Sequence, residues 1–208
     1  MVEIAGFTIT GGATNGIRLN SGTSNTIIHN NIIIANGTGI DARSGSDGVV
    51  YNNSIIYNSV DGFQAIGSGT VVTTHNNIIV NNGRYGIWAN DYSSITAVYN
   101  DVWSNLSGDY FKDSLADLNQ TNNLSIDPQF LDNFYLSAGS GCIDKGRPIA
   151  ADNDPDGTRN DQGVYGGPYA VDFWPQPAGG PVVTDLSVTP PSVPVGGTLT
   201  IRATGKIR

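Results

Sequence analysis

The sequence predicts an all-β fold: a single-stranded parallel solenoid, an irregular C-terminal cap, and a two-strand stub. Three observations predict it. An Asn-rich segment recurs at His29, Tyr51, His75 and Tyr99, so the period is 22–24 residues. Each period holds about three short apolar runs separated by Gly, Asn or Ser, with no helical spacing between them. Charged residues make up only 13% of 208, whereas Gly numbers 27 and Asn 22, with 16 of the Asn before residue 113. Both residues tolerate positive φ, which suits tight turns and disfavours helices.

The repeat unit reads His29-Asn30-Asn31-Ile32-Ile33-Ile34, then Tyr51-Asn52-Asn53-Ser54-Ile55-Ile56, His75-Asn76-Asn77-Ile78-Ile79-Val80 and Tyr99-Asn100-Asp101-Val102-Trp103. A further Asn follows each copy (Asn36, Asn58, Asn82, Asn105), and three copies continue into Gly39-Ile40, Gly62-Phe63 and Gly86-Ile87. Gly16-Ile17 belongs to a degenerate earlier copy. A β-rich run precedes each Asn pair: Thr26-Ile27-Ile28, Gly48-Val49-Val50, Thr70-Val71-Val72 and Thr96-Ala97-Val98. A propeller blade needs about 40 residues per repeat, so three short strands in this period indicate one turn of a solenoid. Turns stacked about 4.8 Å apart would make a rod of roughly 20 Å from four to five turns. At each corner a left-handed residue is needed, which Asn accepts. Stacked amides can also bond to one another, since each both donates and accepts.

The Asn-Asn-Ile-Ile-x-x-Asn…Gly-Ile pattern over residues 1–112 resembles the repeats of the pectate-lyase-like, right-handed parallel β-helix superfamily. That resemblance implies a bacterial protein, secreted or displayed at the cell surface. Its members include polysaccharide lyases, glycosidases, epimerases and surface proteins without known activity, so it speaks to fold more than to chemistry.

Residues 113–170 lose the period. Asp127-Pro128-Gln129-Phe130-Leu131, Cys142-Ile143-Asp144-Lys145-Gly146 and Asp156-Gly157-Thr158-Arg159-Asn160-Asp161-Gln162-Gly163-Val164-Tyr165-Gly166-Gly167 resemble the end segment of bacterial extracellular β-helix proteins. Its expected task is to cover the open end of the last coil with Phe130, Leu131, Phe134, Tyr135, Leu136 and Ile143. Residues 171–181, rich in Pro and Gly, read as a linker. Residues 182–208 read as two strands that resemble the opening of a bacterial immunoglobulin-like module. They are far short of the roughly 100 residues of a sandwich, so a longer parent chain is expected.

A net charge of −8 argues against nucleic-acid partners, which need clustered Lys and Arg. No apolar run is long enough for membrane insertion, and no signal peptide is visible. The lone Cys142 excludes an internal disulfide framework. Exposed strand edges would permit self-association.

Two sets of residues are candidates for function. Asp152, Asp154, Asp156, Asn160 and Asp161 surround Gly157 with oxygen ligands at spacings that begin like a calcium loop. Gly163 stands where a bidentate Glu belongs, so the alternative is a turn in which Asp side chains bond backbone amides. The second set lies on the Gly-apolar strands. With Ile17, Ile40, Phe63 and Ile87 inward, Arg18, Asp41, Gln64 and Trp88 point outward. Arg43 and Asn90 lie two residues further on, and Asp91 and Tyr92 flank them. Aromatic, amide and charged groups on one flat face suit a polysaccharide, with an ordinary solvated face as the alternative. By the resemblance, a lyase would pair a calcium-binding carboxylate cluster with an Arg base, for which Asp41, Arg18 and Arg43 are the available residues. His29 and His75 alternate with Tyr51 and Tyr99, which points to packing rather than acid-base chemistry.

Overall fold

The structure is a computed structural model that describes residues 1–174 in full and, beyond them, the backbone of strands Pro181–Thr189 and Thr200–Ile207. It divides into two units, Met1–Trp174 and Pro175–Arg208. In the second unit those two strands pair antiparallel. Residues 175–180 of the expected linker and the connection between the two strands lie outside the described residues.

The first unit is the expected parallel solenoid. Sheet A contains six strands: Val2–Ala5, Thr26–His29, Asp47–Tyr51, Val71–His75, Ser94–Val98 and Asp117–Thr121. Sheet B contains five, Thr8–Thr10, Ile32–Ile34, Ser54–Ile56, Ile78–Val80 and Asp101–Trp103. Sheet C contains Asn15–Leu19, Thr38–Arg43, Phe63–Ile66, Tyr85–Asn90 and Gly108–Lys112. The chain visits A, B and C in turn, so each strand pairs with its equivalent one coil away. Alternation puts one column of apolar side chains inside each wall. Ile33, Ile55, Ile79 and Val102 line sheet B, and Ile40, Phe63 and Ile87 line sheet C, all with no exposed surface. Burying each large aliphatic or aromatic side chain stabilises the fold by about 1.5–3 kcal/mol.

The two Asn of each pair have separate tasks. The first sits at the A–B corner with positive φ: Asn30 (49°), Asn52 (49°) and Asn76 (57°). The second points inward and forms a ladder, Asn31 to Asn53 to Asn77 to Asn100 to Asn123, each Nδ2 donating to the next Oδ1 at 2.9–3.2 Å. Each ladder oxygen also accepts a backbone N–H from the preceding coil, as Asn77 does from Asn53 at 2.9 Å. A second ladder runs at the B–C corner from Asn36 through Asn58 and Asn82 to Asn105, ending on Asp109. The Gly of each Gly-apolar pair is there to make room. A Cβ on Gly62 would lie 2.5 Å from Ile79 Cγ2 and 2.8 Å from Asn82 Nδ2.

The structure corrects the repeat at its C-terminal end. His75 pairs with Val98, not Tyr99, so this coil is 23 residues, and Asn100 rather than Asp101 fills the ladder. Tyr99 occupies the left-handed corner position (φ 55°). The solenoid also continues past residue 112. Asp117–Thr121 extends sheet A, Asn123 extends the ladder, and Leu124 bridges to Asp101.

The segment after residue 125 does not lid the last coil. It turns onto the outer face of sheet B, where Ile126, Phe130, Phe134, Leu136 and Cys142 pack on Ile34, Ile56, Ile78, Val80 and Trp103. Leu131, expected in the lid, is 58% exposed. The chain then runs back along the A–B corner as a strap. Asn76 Oδ1 accepts the Arg147 amide at 2.7 Å, and Asn52 donates to the carbonyls of Asp161 and Gly163. Asn30 donates to the carbonyls of Val164 and Gly166, and its own carbonyl accepts from Trp174 Nε1 at 2.8 Å. The reason lies in sheet B, whose outer face carries Ile32, Ile34, Ile56, Ile78, Val80 and Trp103 among its polar residues and must be covered there.

Candidate functional site

The outer row of sheet C assembles as the alternation predicts: Arg18 pairs with Asp41, Asp41 with Gln64, and Gln64 with Trp88. Asp41 nevertheless has no exposed surface. Arg43 Nε reaches its carboxylate at 2.7 Å, Gln64 Nε2 donates at 2.8 Å, and Arg18 Nε lies at 3.8 Å. The carboxylate is therefore a buried anchor that fixes the Arg43 guanidinium, with Arg18 half exposed and in looser ionic contact. One coil on, buried Asp61 holds Arg84, which lies over the Trp88 ring with its guanidinium carbon 4.1 Å from the centroid. Tyr85 stacks on Phe111 at 4.7 Å, with Phe111 41% exposed. Asn90, Asp91 and Tyr92 sit apart from this cluster. They lead into a corner turn in which Asp91 and Tyr92 have positive φ and Tyr92 is 58% exposed. Sequence reasoning missed Asp61 and Arg84, although their separation of 23 residues is one coil and was the available signal.

The acidic loop forms part of the strap. Arg147 Nε donates to Asp152 at 2.7 Å, and Asp154 accepts the amides of Asp161 and Gly167. Asp156 accepts both the amide and the hydroxyl of Thr158, which hold its carboxyl below the usual range. Asp161 accepts the Asp144 amide, and buried Asn160 exchanges hydrogen bonds with Asn52. Burial pushes Asp154 up to about 7 and also raises Asp161. Among the described residues no three His, Cys, Asp or Glu side chains converge as a metal-binding group.

A further site was not foreseen. Between the outer face of sheet A and the strap lies a cleft of about 480 Å³. Ile27, Val49 and Thr73 form its floor, Tyr51 and His75 one wall, and Arg147, Asp152 and Tyr169 lie on the strap side. The rings of His29, Tyr51 and His75 stack at 4.8 and 5.2 Å, nearly parallel, in one column. His29 is closed off by Asn30 on Nδ1 and Glu3 on Nε2. His75 is 4% exposed and its Nδ1 has no partner. Burial, and next the Arg147 charge, push it down to about 4, so it is a neutral imidazole near neutral pH. Burial also pushes Tyr51 up to about 12. The His/Tyr alternation was visible in the sequence. The strap that converts a solvated column into a wall was not.

No curated protein and no solved structure matches the chain. Residues 1–125 match the family model described as the right handed beta helix region, and the repeat, the three parallel sheets and the Asn ladders all lie within or span that match. The chain belongs to the right-handed β-helix family.

Proposed function

We propose that this chain is a non-catalytic structural or adhesive β-helix of a bacterial protein that is secreted or held at the cell surface, and that it contacts saccharide through the outer face of sheet C. The observation that carries this reading is the fixed Arg and aromatic array. Arg43 is anchored on Asp41 with Arg18 in ionic contact beside it, and Arg84 is anchored on Asp61 and laid over Trp88. Such an array offers pre-positioned N–H donors beside apolar ring surface, the combination that sugar hydroxyls and pyranose faces require. A polysaccharide lyase or glycoside hydrolase on the same face is the competing reading. It needs a carboxylate free to ligate a cation or move a proton, and Asp41 is saturated by Arg43 and Gln64.

A glycan array compared between the native protein and Trp88→Ala tests the proposal. Binding that falls at least about tenfold in the variant supports this face. Equal signals from both proteins remove it. Appearance of unsaturated product from pectin, alginate or another uronan would replace binding with the lyase reading.

A further inference from the structure

We infer that the cleft between sheet A and the strap is a second ligand site, and that its ligand is an uncharged pyranose. This inference is independent of the sheet C face. Its starting observation is a set of polar atoms that the described residues leave without hydrogen bonds around one apolar floor. The Arg147 guanidinium is tied to Asp152 through Nε alone, so its terminal N–H groups remain available. Asp152 keeps its second oxygen. The hydroxyls of Tyr51 and Tyr169, both residues of the lining, have no partner among the described residues.

The chemistry of that set selects the ligand. Arg147 and Asp152 cancel each other's charge, and His75 is neutral, so the lining carries no net charge to attract an anion or a cation. An Arg–Asp pair presents donors and an acceptor side by side, matching neighbouring hydroxyls that each donate and accept. Ile27 and Val49 supply aliphatic surface for the apolar face of a sugar ring, in a lining that also contains Tyr51 and Tyr169. The volume of about 480 Å³ lies within the range of small-molecule sites. The cleft is also braced on both sides. Its sheet wall is fixed by the inner Asn ladder, and its strap wall by Asn52, Asn76 and Asn160.

The test is a titration of the native protein with the methyl glycosides of glucose, galactose and mannose, followed by the His75 imidazole resonances in NMR. The expected result is a saturable shift with at least one glycoside at millimolar concentration. It should weaken at least about tenfold in Arg147→Gln and in Ala151→Trp, which fills the cleft from an exposed position. Trp88→Ala should titrate like the native protein, so the fate of the sheet C reading does not enter. No shift with any of the three up to about 50 mM overturns the inference, because such affinity would lie below that of a built site. So does an undiminished shift in Ala151→Trp. A response to glucuronate without one to the matching neutral glycoside overturns the ligand class.

Discussion

The Asn ladders and the strap solve the same problem, burying polar groups, by opposite means. In the solenoid body each amide is satisfied by its own copy 22–24 residues away. In the strap the partners lie in a segment that does not repeat, 71 residues away for Asn76 and Arg147 and 108 for Asn52 and Asn160. Translation guarantees the first kind of match, so one good coil specifies the next. The second kind depends on a unique segment docking once. The body should therefore unfold as a coupled stack, whereas the strap should open locally and govern the cleft.

The largest effect should follow from breaking a ladder. Asn77 donates to Val50 O, His75 O and Asn100 Oδ1 and accepts from Asn53. Asn77→Ala leaves several buried groups unpaired, so the urea midpoint should fall by the equivalent of about 3–5 kcal/mol. A loss under about 1 kcal/mol would mean that the ladder is ornamental.

Titration at the seam between the body and the strap comes next. Burial pushes Asp101 up to about 6, with a lesser contribution from neighbouring Asp109 and Asp127, while the Ile126 amide works against the rise. Its folded value lies above the ordinary 3.8, so its stabilising contribution is complete below that value and is lost as pH rises through about 6. The loss is of order 3 kcal/mol, and Asp101→Asn should recover much of it at pH 7. His75 has the opposite sign. Its folded value of about 4 lies below the ordinary 6.5, so its contribution is present above 6.5 and lost as pH falls through about 4. Thermal melts between pH 4 and 7 should show Asp101→Asn more acid-sensitive than the native protein and His75→Gln less so. Parallel profiles for all three proteins would contradict both assignments.

Gly62→Ala tests the close approach of sheet C to the second ladder. Its Cβ would meet Ile79 and Asn82, and overpacking of this kind costs about 1–3 kcal/mol in chemical denaturation. The smallest global effect is expected from Asn52→Gly, which keeps the left-handed corner but deletes the docking amide. Hydrogen exchange should quicken in residues 144–167 while amides of sheet B keep their protection. Equal quickening in both regions would mean that the strap is part of the cooperative core.

The legibility of the molecule follows the same division. The period, the inward columns and the polar corners were readable because solenoid partners recur at fixed separation, so a pattern in sequence is a contact in space. The pattern misleads at Tyr99, where one residue is missing from the coil and Asp101 imitates a ladder Asn. The last coil, beyond residue 112, is hidden because Asp117–Thr121 is a polar strand recognisable only by its pairing with Ser94–Val98. The row Arg18–Asp41–Gln64–Trp88 was legible, but the burial of Asp41 was not. That burial comes from Arg43 and Gln64 closing over the carboxylate in space.

The coil, its three walls and the residues that line them follow from local turn chemistry and alternation, which act within one period of the sequence. The path of the aperiodic segment is instead set by packing in space. Its apolar residues could cover an end or a side, and the outcome was settled by the outer face of sheet B, whose Ile34, Ile56 and Val80 had to be removed from water. The cleft is a consequence of that choice, formed between two surfaces whose meeting no local pattern encodes.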